Sequence, residues 1–328
     1  MNRHTQSHLG NANVLRSLVL ALLVSVSGVP IQSAAAQGSN INPLQIALLK
    51  WAPNLTTMFP VGGRPHGIAF DGTNIWVTNV QTDNVTKLRA NDGVVQGTFA
   101  VGDEPYGVAF DGANIWVANH GSANVTKLLA SDGTVQGTFN VGMGPAGVVF
   151  DGVNIWVVSH GTNSVVKLRA SDGVIQGNFG VGTGPKFIAF DGVNIWVTNE
   201  KSDNVTKLRA SDGTLQGTFS VGNSPQGIAF DGSNIWVANE GNDSVTKLRA
   251  SDGTVRGTFS VGDEPYGVVF DGANIWVANE ASNNVTKLRA VDGAGQGTFT
   301  VGTAPYGIAF DGPNVWVANT GGNTVSKL

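Results

Sequence analysis

"FDGANIWVAN", residues 110–119, returns letter for letter at 270–279, and close variants begin at Phe70, Phe150, Phe190, Phe230 and Phe310. The spacing is always a multiple of forty residues. A period of this length marks an architecture in which one supersecondary unit is stacked on copies of itself. With Val101 as position 1 and Asn140 as position 40, each copy opens Val-Gly-x-x-Pro-x-Gly-Ile/Val-Ala-Phe-Asp-Gly-x-Asn-Ile-Trp-Val-x-Asn. A variable patch, Val-Thr-Lys-Leu-Arg-Ala, Ser-Asp-Gly and a closing Gly-Thr-Phe complete it.

Four β-prone runs separated by turn residues are expected in each copy: A over 106–110, B over 114–119, C over 124–130 and D over 135–141. Asp111-Gly112 and Asp132-Gly133 are hairpin signals, because Gly accepts positive φ and Asp bonds its own backbone. A therefore pairs with B, and C with D, antiparallel. Such a sheet, apolar on both faces, buries itself only between like neighbours, and radial stacking of seven copies gives an all-β seven-bladed propeller of four-stranded antiparallel blades. The last copy stops at Leu328 without a D strand, while Leu55–Phe59 precedes the first full copy, with Phe59 forty residues before Phe99. That N-terminal strand is expected to complete the last blade and close the ring.

Residues 1–36 read as a secretory signal peptide: Arg3 and Arg16 precede an apolar run from Leu18 to Val29, and "SAAAQ" at 33–37 supplies small residues before a cut after Ala36. The run is shorter than the roughly 20 residues a membrane span requires. Residues 37–54 form a lead-in, with Trp51 expected to pack on the outside, and 55–328 form a single propeller domain. There is no cysteine, so stability must come from packing alone. Export without disulfides or a lipid-modified Cys fits a bacterial periplasm or the medium. The mature chain carries 17 basic against 23 acidic residues, which argues against a nucleic-acid partner.

The aromatic residues divide by position. Seven Phe occupy position 10, seven occupy position 39, and Phe187 stands apart; seven of eight Trp occupy position 16. One identical Trp per blade implies inter-blade packing. The seven Lys of position 27, such as Lys87, lie two residues from an Arg in most copies and are expected to form a solvated rim paired with loop Asp residues.

Following the chain around a blade puts the D-to-A loop (positions 1–6) and the B-to-C loop (20–23) on one face, and the two Asp-Gly turns on the other. The Asp-Gly face hardly varies between copies; the loop face varies everywhere. Position 6 reads His66, Tyr106, Ala146, Lys186, Gln226, Tyr266, Tyr306, and position 20 reads Val80, His120, His160, Glu200, Glu240, Glu280, Thr320. Position 4 adds Arg64, Glu104 and Glu264. All five Glu, the three His of the mature chain and all three Tyr fall in these positions. Loops that needed only to be soluble have no reason for that confinement, although drift at tolerant positions after duplication also produces variety.

Position 6 opens the innermost strand, so its side chains should ring the mouth of the central channel. His66, Tyr106, Lys186, Gln226, Tyr266 and Tyr306 suit a polar ring-bearing ligand or a loop of another protein. Glu104 should approach His120 within one blade as an acid/base pair. His120, His160 and Glu200 follow one another around the ring as a possible divalent site, but side chains at position 20 fan outward, away from ligand distances near about 2.1 Å. Glu200, Glu240 and Glu280 form an acidic crescent, to which Glu264 adds.

"NIWVTN" at 74–79 and 194–199, preceded by "EPYGVAFDG" or "GPKFIAFDG" before such a strand, resembles the YVTN type of bacterial propeller repeat and is similar to NHL and streptogramin-lyase propellers. The resemblance spans about 55–328. Streptogramin lyases imply a catalytic His at position 6, a Glu at the end of strand B, and magnesium. Here position 6 has one His, His66, and strand B ends in Asn or Ser in every copy, so that constellation does not carry over. The reading that results is an exported, monomeric binding scaffold for a small molecule or a protein of the cell envelope, with no cofactor required. Its alternatives are a lyase or lactonase using a divalent metal (Mg or Ca) on the same face, and a purely structural matrix protein.

Overall fold

The computed structural model describes residues 56–328; the expected signal peptide, lead-in, Trp51 and Leu55 lie outside the described residues. Strand β1 (Thr57–Pro60) is followed by the first blade, β2 (Pro65–Phe70), β3 (Asn74–Asn79), β4 (Asn84–Arg89) and β5 (Val95–Ala100). Strands β6–β25 repeat this set in blades two to six, and β26 (Pro305–Phe310), β27 (Val315–Asn319) and β28 (Thr324–Lys327) belong to the seventh. Seven four-stranded sheets result, six of them consecutive in sequence and the last ordered β1-β28-β27-β26. β1 pairs antiparallel with β28, from Thr57 opposite Lys327 to Pro60 opposite Thr324, and so closes the ring as expected. The limits of strands A to D match the expected ones to within one residue, and β1 begins at Thr57, two residues after the expected start.

The Asp-Gly turns form by the anticipated chemistry and do something more. Asp111 Oδ1 accepts the N–H groups of Ala113 and Asn114 at 2.9 and 2.6 Å, and its Oδ2 accepts Trp116 Nε1 at 2.8 Å. One carboxylate thus shapes the hairpin and fixes the indole that fills the neighbouring core. The same Asp-to-Trp bond recurs in every blade, from Asp71 to Asp311.

The cores lie between the blades. Strand B is covered on both sides: Trp76 and Val85 of the first blade meet Ile115, Val117 and Leu128 of the second. The alternation of side chains along a strand sends Trp to the next blade and its Ile and Val neighbours to the preceding one. Phe99 lies 5.5 Å from Trp76 and slides beneath Gly133 of the next blade, where a Cβ would come within 2.1 Å of the ring. The Gly of that turn is therefore required by the neighbouring ring as well as by its φ of +79°.

The lysines of position 27 are not a solvated rim. Lys87 is only 8% exposed; its Nζ sits 5.1 Å from the Trp76 ring centroid and donates to the carbonyls of Ala130 and Ser131 in the next blade, at 2.7 and 3.0 Å. Lys127, Lys167, Lys207, Lys247 and Lys327 do the same across their own seams. The carbonyls after strand C point into the seam with no ladder partner, and an ammonium carrying its proton donors on a long apolar stem reaches them while its stem covers the indole. The arginines two residues on do pair with loop Asp, as Arg89 with Asp92 at 2.7 Å, in exposed contacts of little energy.

Candidate functional site

The innermost strand starts with a bulge that aims the variable side chains. In the first blade Pro65 pairs with Asn79 and Ile68 with Val77, so His66 and Gly67 together oppose Thr78. The same shift occurs in all seven blades. Glycine follows at position 7 because the bulged carbonyl of the next blade stands there: a Cβ on Gly227 would lie 2.0 Å from the Tyr266 oxygen, and one on Gly67 2.3 Å from that of Tyr106. Blade four alone carries a side chain at this position, and Phe187 projects across the channel to a ring centroid 6.1 Å from that of Tyr306. The channel beneath, a cavity of about 200 Å³, is walled by the Ile and Val of position 8 together with His66, Tyr106, Lys186, Phe187 and Tyr306.

At the mouth, five rings form an unbroken arc over four blades. Centroid separations run 4.4 Å from Tyr266 to Tyr306, 3.9 Å to His66, 4.5 Å to Tyr106 and 4.5 Å to His120. These are close stacking and tilted contacts, two of them at the near edge of the range in which aromatic pairs attract beyond simple burial and two tighter still. Part of the set expected to ring the mouth thus forms, with His120, a contiguous aromatic surface. His66, 9% exposed, is held neutral: burial, then Arg64 and Lys186, push its pKa down to about 3. Burial and the neighbouring Tyr266 and Glu280 charges hold the Tyr306 hydroxyl well above its ordinary range.

The remaining candidate residues form pairs rather than one cluster. Glu104 Oε2 lies 3.3 Å from His120 Nδ1, within one blade as expected. Lys186 Nζ lies 3.3 Å from Glu200. His160 Nδ1 lies 3.0 Å from the Pro185 carbonyl of the next blade; that contact fixes its proton on Nδ1, and burial first of all holds its pKa low. His120, His160 and Glu200 thus face three different partners, and among the described residues no group of three or more His, Cys, Asp or Glu is arranged to hold a metal ion. In six blades strand B ends in a buried Asn that serves its own blade, as Asn119 Nδ2 donates to Asn124 and Thr126 at 2.7 and 2.8 Å, and in the third it ends in Ser159. The position where the lyase resemblance implies a catalytic Glu is structural here.

Gln226 is 1% exposed, the most buried of the polar residues at position 6. Its Nε2 donates to Glu240 at 2.7 Å, Ser224 Oγ donates to the same carboxylate oxygen at 3.1 Å, and Gln226 Oε1 has no hydrogen-bond partner. Glu280 is pushed above the usual carboxylate range by burial and by Glu264 and Glu240.

Two features of this face were not read from the sequence. Position 4 is left-handed in every blade, with φ of 56° at Arg64, 49° at Glu104 and 51° at Glu264. This conformation favours Gly and costs other residues about 1–2 kcal/mol. The N–H of position 4 is capped by position 23 of the preceding blade, as Glu104 by Asp83 at 2.9 Å and Glu264 by Asp243 at 3.0 Å. The Asp or Asn that position 23 carries in six of seven copies was the available signal. The second feature is charge. The loop face holds all five Glu and five Asp against Arg64, Lys186 and Lys201, whereas the Asp-Gly half balances thirteen Asp with thirteen Lys and Arg. The entire excess of seven negative charges over 56–328 sits on one face.

No family model matches this chain, and none of the curated proteins does. Solved structures do. The hydrazine synthase of Kuenenia stuttgartiensis superposes with a TM-score of 0.73 at 19% identity over 81% of this chain and 95% of that one. A streptogramin B lyase gives 0.72 at 20%, covering 83% and 96%. The virginiamycin B lyase of Staphylococcus aureus gives 0.72 at 16%, covering 83% and 98%. The chain is a seven-bladed propeller with the fold of the streptogramin B lyases. At these identities the likeness is one of fold, and no helix among the described residues is long and apolar enough to cross a membrane.

Proposed function

We propose that this protein is an exported, monomeric binding propeller, not an enzyme, which receives its ligand at the channel mouth of the loop face. The single observation that carries this reading is the aromatic arc from Tyr266 through Tyr306, His66 and Tyr106 to His120. Repeated residues build the scaffold in every blade; these rings occur only where the copies differ, and they meet. An aromatic surface with polar tips binds a flat or compact polar ligand by stacking and a few directed hydrogen bonds.

The test is native mass spectrometry of residues 37–328 after incubation with an extract of the producing cell's envelope. A mass adduct carried by the wild type and lost from a folded Tyr266→Ala variant supports the reading. An adduct that the variant retains refutes it.

The lyase or lactonase reading rests on the Glu104–His120 pair and on the fold shared with a streptogramin B lyase. It requires turnover of a cyclic ester that EDTA abolishes and that Glu104→Gln reduces.

A further inference from the structure

We infer that the ligand enters the propeller apolar end first: the axial cavity beneath the aromatic arc receives an uncharged apolar group the size of a benzene ring, and Phe187 sets how large that group can be. The inference rests on the binding reading above and names the chemistry of the ligand's inner end, its polar end staying at the mouth.

Size is the first ground. The cavity measures about 200 Å³. A dry cavity of about 150 Å³ lined by Leu, Ile and Phe takes up benzene. The space does not close by collapse, because its wall is anchored from behind. The position-8 side chains that form it pack at the same time on the cores between blades, as Ile68 does between the seventh and first, Val108 between the first and second, and Ile228 between the fourth and fifth. The closed ring fixes the radius, and close-packed seams resist the shifts that would fill the axis.

Polarity is the second ground. Every blade contributes an Ile or a Val at position 8 to the wall. The only Lys, Arg, Asp or Glu among the lining residues is Lys186, and Glu200 engages it at 3.3 Å. A charged group carried inside would lose its water without meeting a free opposite charge. A water among branched alkyl groups finds few hydrogen-bond partners, and an apolar guest needs none.

The third ground is the one place where the wall departs from its repeat. Position 7 is Gly in six blades, and in five of them a Cβ would stand 2.0 to 2.3 Å from a carbonyl oxygen of the next blade. Blade four carries Phe187 there, and its ring lies 6.1 Å from that of Tyr306. Both rings line the cavity, so they narrow it and give an entering group two aromatic neighbours. With Gly at 187, as in the other blades, the channel would be wider by a benzyl group.

The experiment is isothermal titration of the purified protein with toluene, with p-toluate as the same ring bearing a charge, and with naphthalene as a larger uncharged guest. Toluene is expected to bind with a negative heat-capacity change, p-toluate to give no heat, and naphthalene to bind more weakly than toluene. Val268→Phe, which fills the cavity from its wall, should weaken toluene by roughly tenfold or more. Phe187→Gly should reverse the order of toluene and naphthalene, a gain that mere destabilisation does not produce. Each variant is checked for an unchanged melting curve, and if Val268→Phe does not fold, the order of the two guests in Phe187→Gly decides. If toluene gives no heat, if it binds Val268→Phe as it binds the wild type, or if Phe187→Gly keeps the wild-type order, the inference is overturned. If toluene fails while a Tyr266-dependent adduct still forms from the envelope extract, the apolar end falls and the binding reading stands. If toluene binds as expected and no adduct forms, it is the binding reading that fails.

Discussion

Lys87 Nζ crosses from the first blade to the second to donate to the Ala130 carbonyl at 2.7 Å, with its stem laid over Trp76. A cation in a seam otherwise lined by Ile, Val and Trp has to be bonded in full, and the carbonyls it meets have no other donor.

Lys167→Met tests this role. It keeps the stem and removes the donors to Ala210 and Ser211, leaving those carbonyls unsatisfied. The expected loss is about 2–4 kcal/mol, read as a shift of the urea midpoint at constant slope. A solvated lysine would move it by less than about 0.5 kcal/mol.

Acid should weaken the fold in two stages. The pKa of His66 falls from 6.5 unfolded to about 3 folded, so the unfolded chain binds its proton first. Stability that is complete above pH 6.5 is therefore lost as pH falls toward 3, by about 5 kcal/mol at full protonation. His66→Tyr, which copies position 6 of three other blades, should flatten that stage. The second stage belongs to carboxylates such as Asp111 and Asp151. Burial alone would raise their pKa values, but the indole and backbone donors outweigh it and hold them below 3.8. What they contribute disappears only as pH falls below that value, in the wild type and in His66→Tyr alike.

Glu280→Gln should stabilise the protein. Burial, Glu264 and Glu240 raise the pKa of this carboxyl, so its charged form costs stability as pH rises through that pKa. At pH 7 the gain should stay within about 1 kcal/mol for a half-buried group that water still screens, and it should vanish near pH 4.

Deleting residues through Pro60 removes β1 and bares the outer edge of β28. The expected result is loss of the single cooperative melting transition, with association through the exposed edge, followed by calorimetry and sedimentation.

The forty-residue period made the architecture legible, because strand lengths, Asp-Gly turns and the missing last strand all follow from comparing copies. Lys87 was misread because alternation along a strand tells which side a residue faces, but not that a neighbouring blade covers that side. The candidate face was legible through the confinement of Glu, His and Tyr. Its internal grouping was not: the contact of Tyr306 with both His66 and Phe187 depends on the radius of the closed ring, which no local pattern contains. Gln226 looked like one rim residue among seven, and only its burial beneath Glu240 sets it apart.

The junction between the seventh blade and the first is made by Lys327 donating to Ala90 at 2.8 Å, the same bond that joins Lys87 to Ala130. Each unit thus presents one hand forward and one receiving surface behind, and the seventh clasps the first as any neighbour would. Such a circle has no privileged origin, so new termini cut at an exposed Asp-Gly turn, with the old ones tethered, should rebuild the same disk.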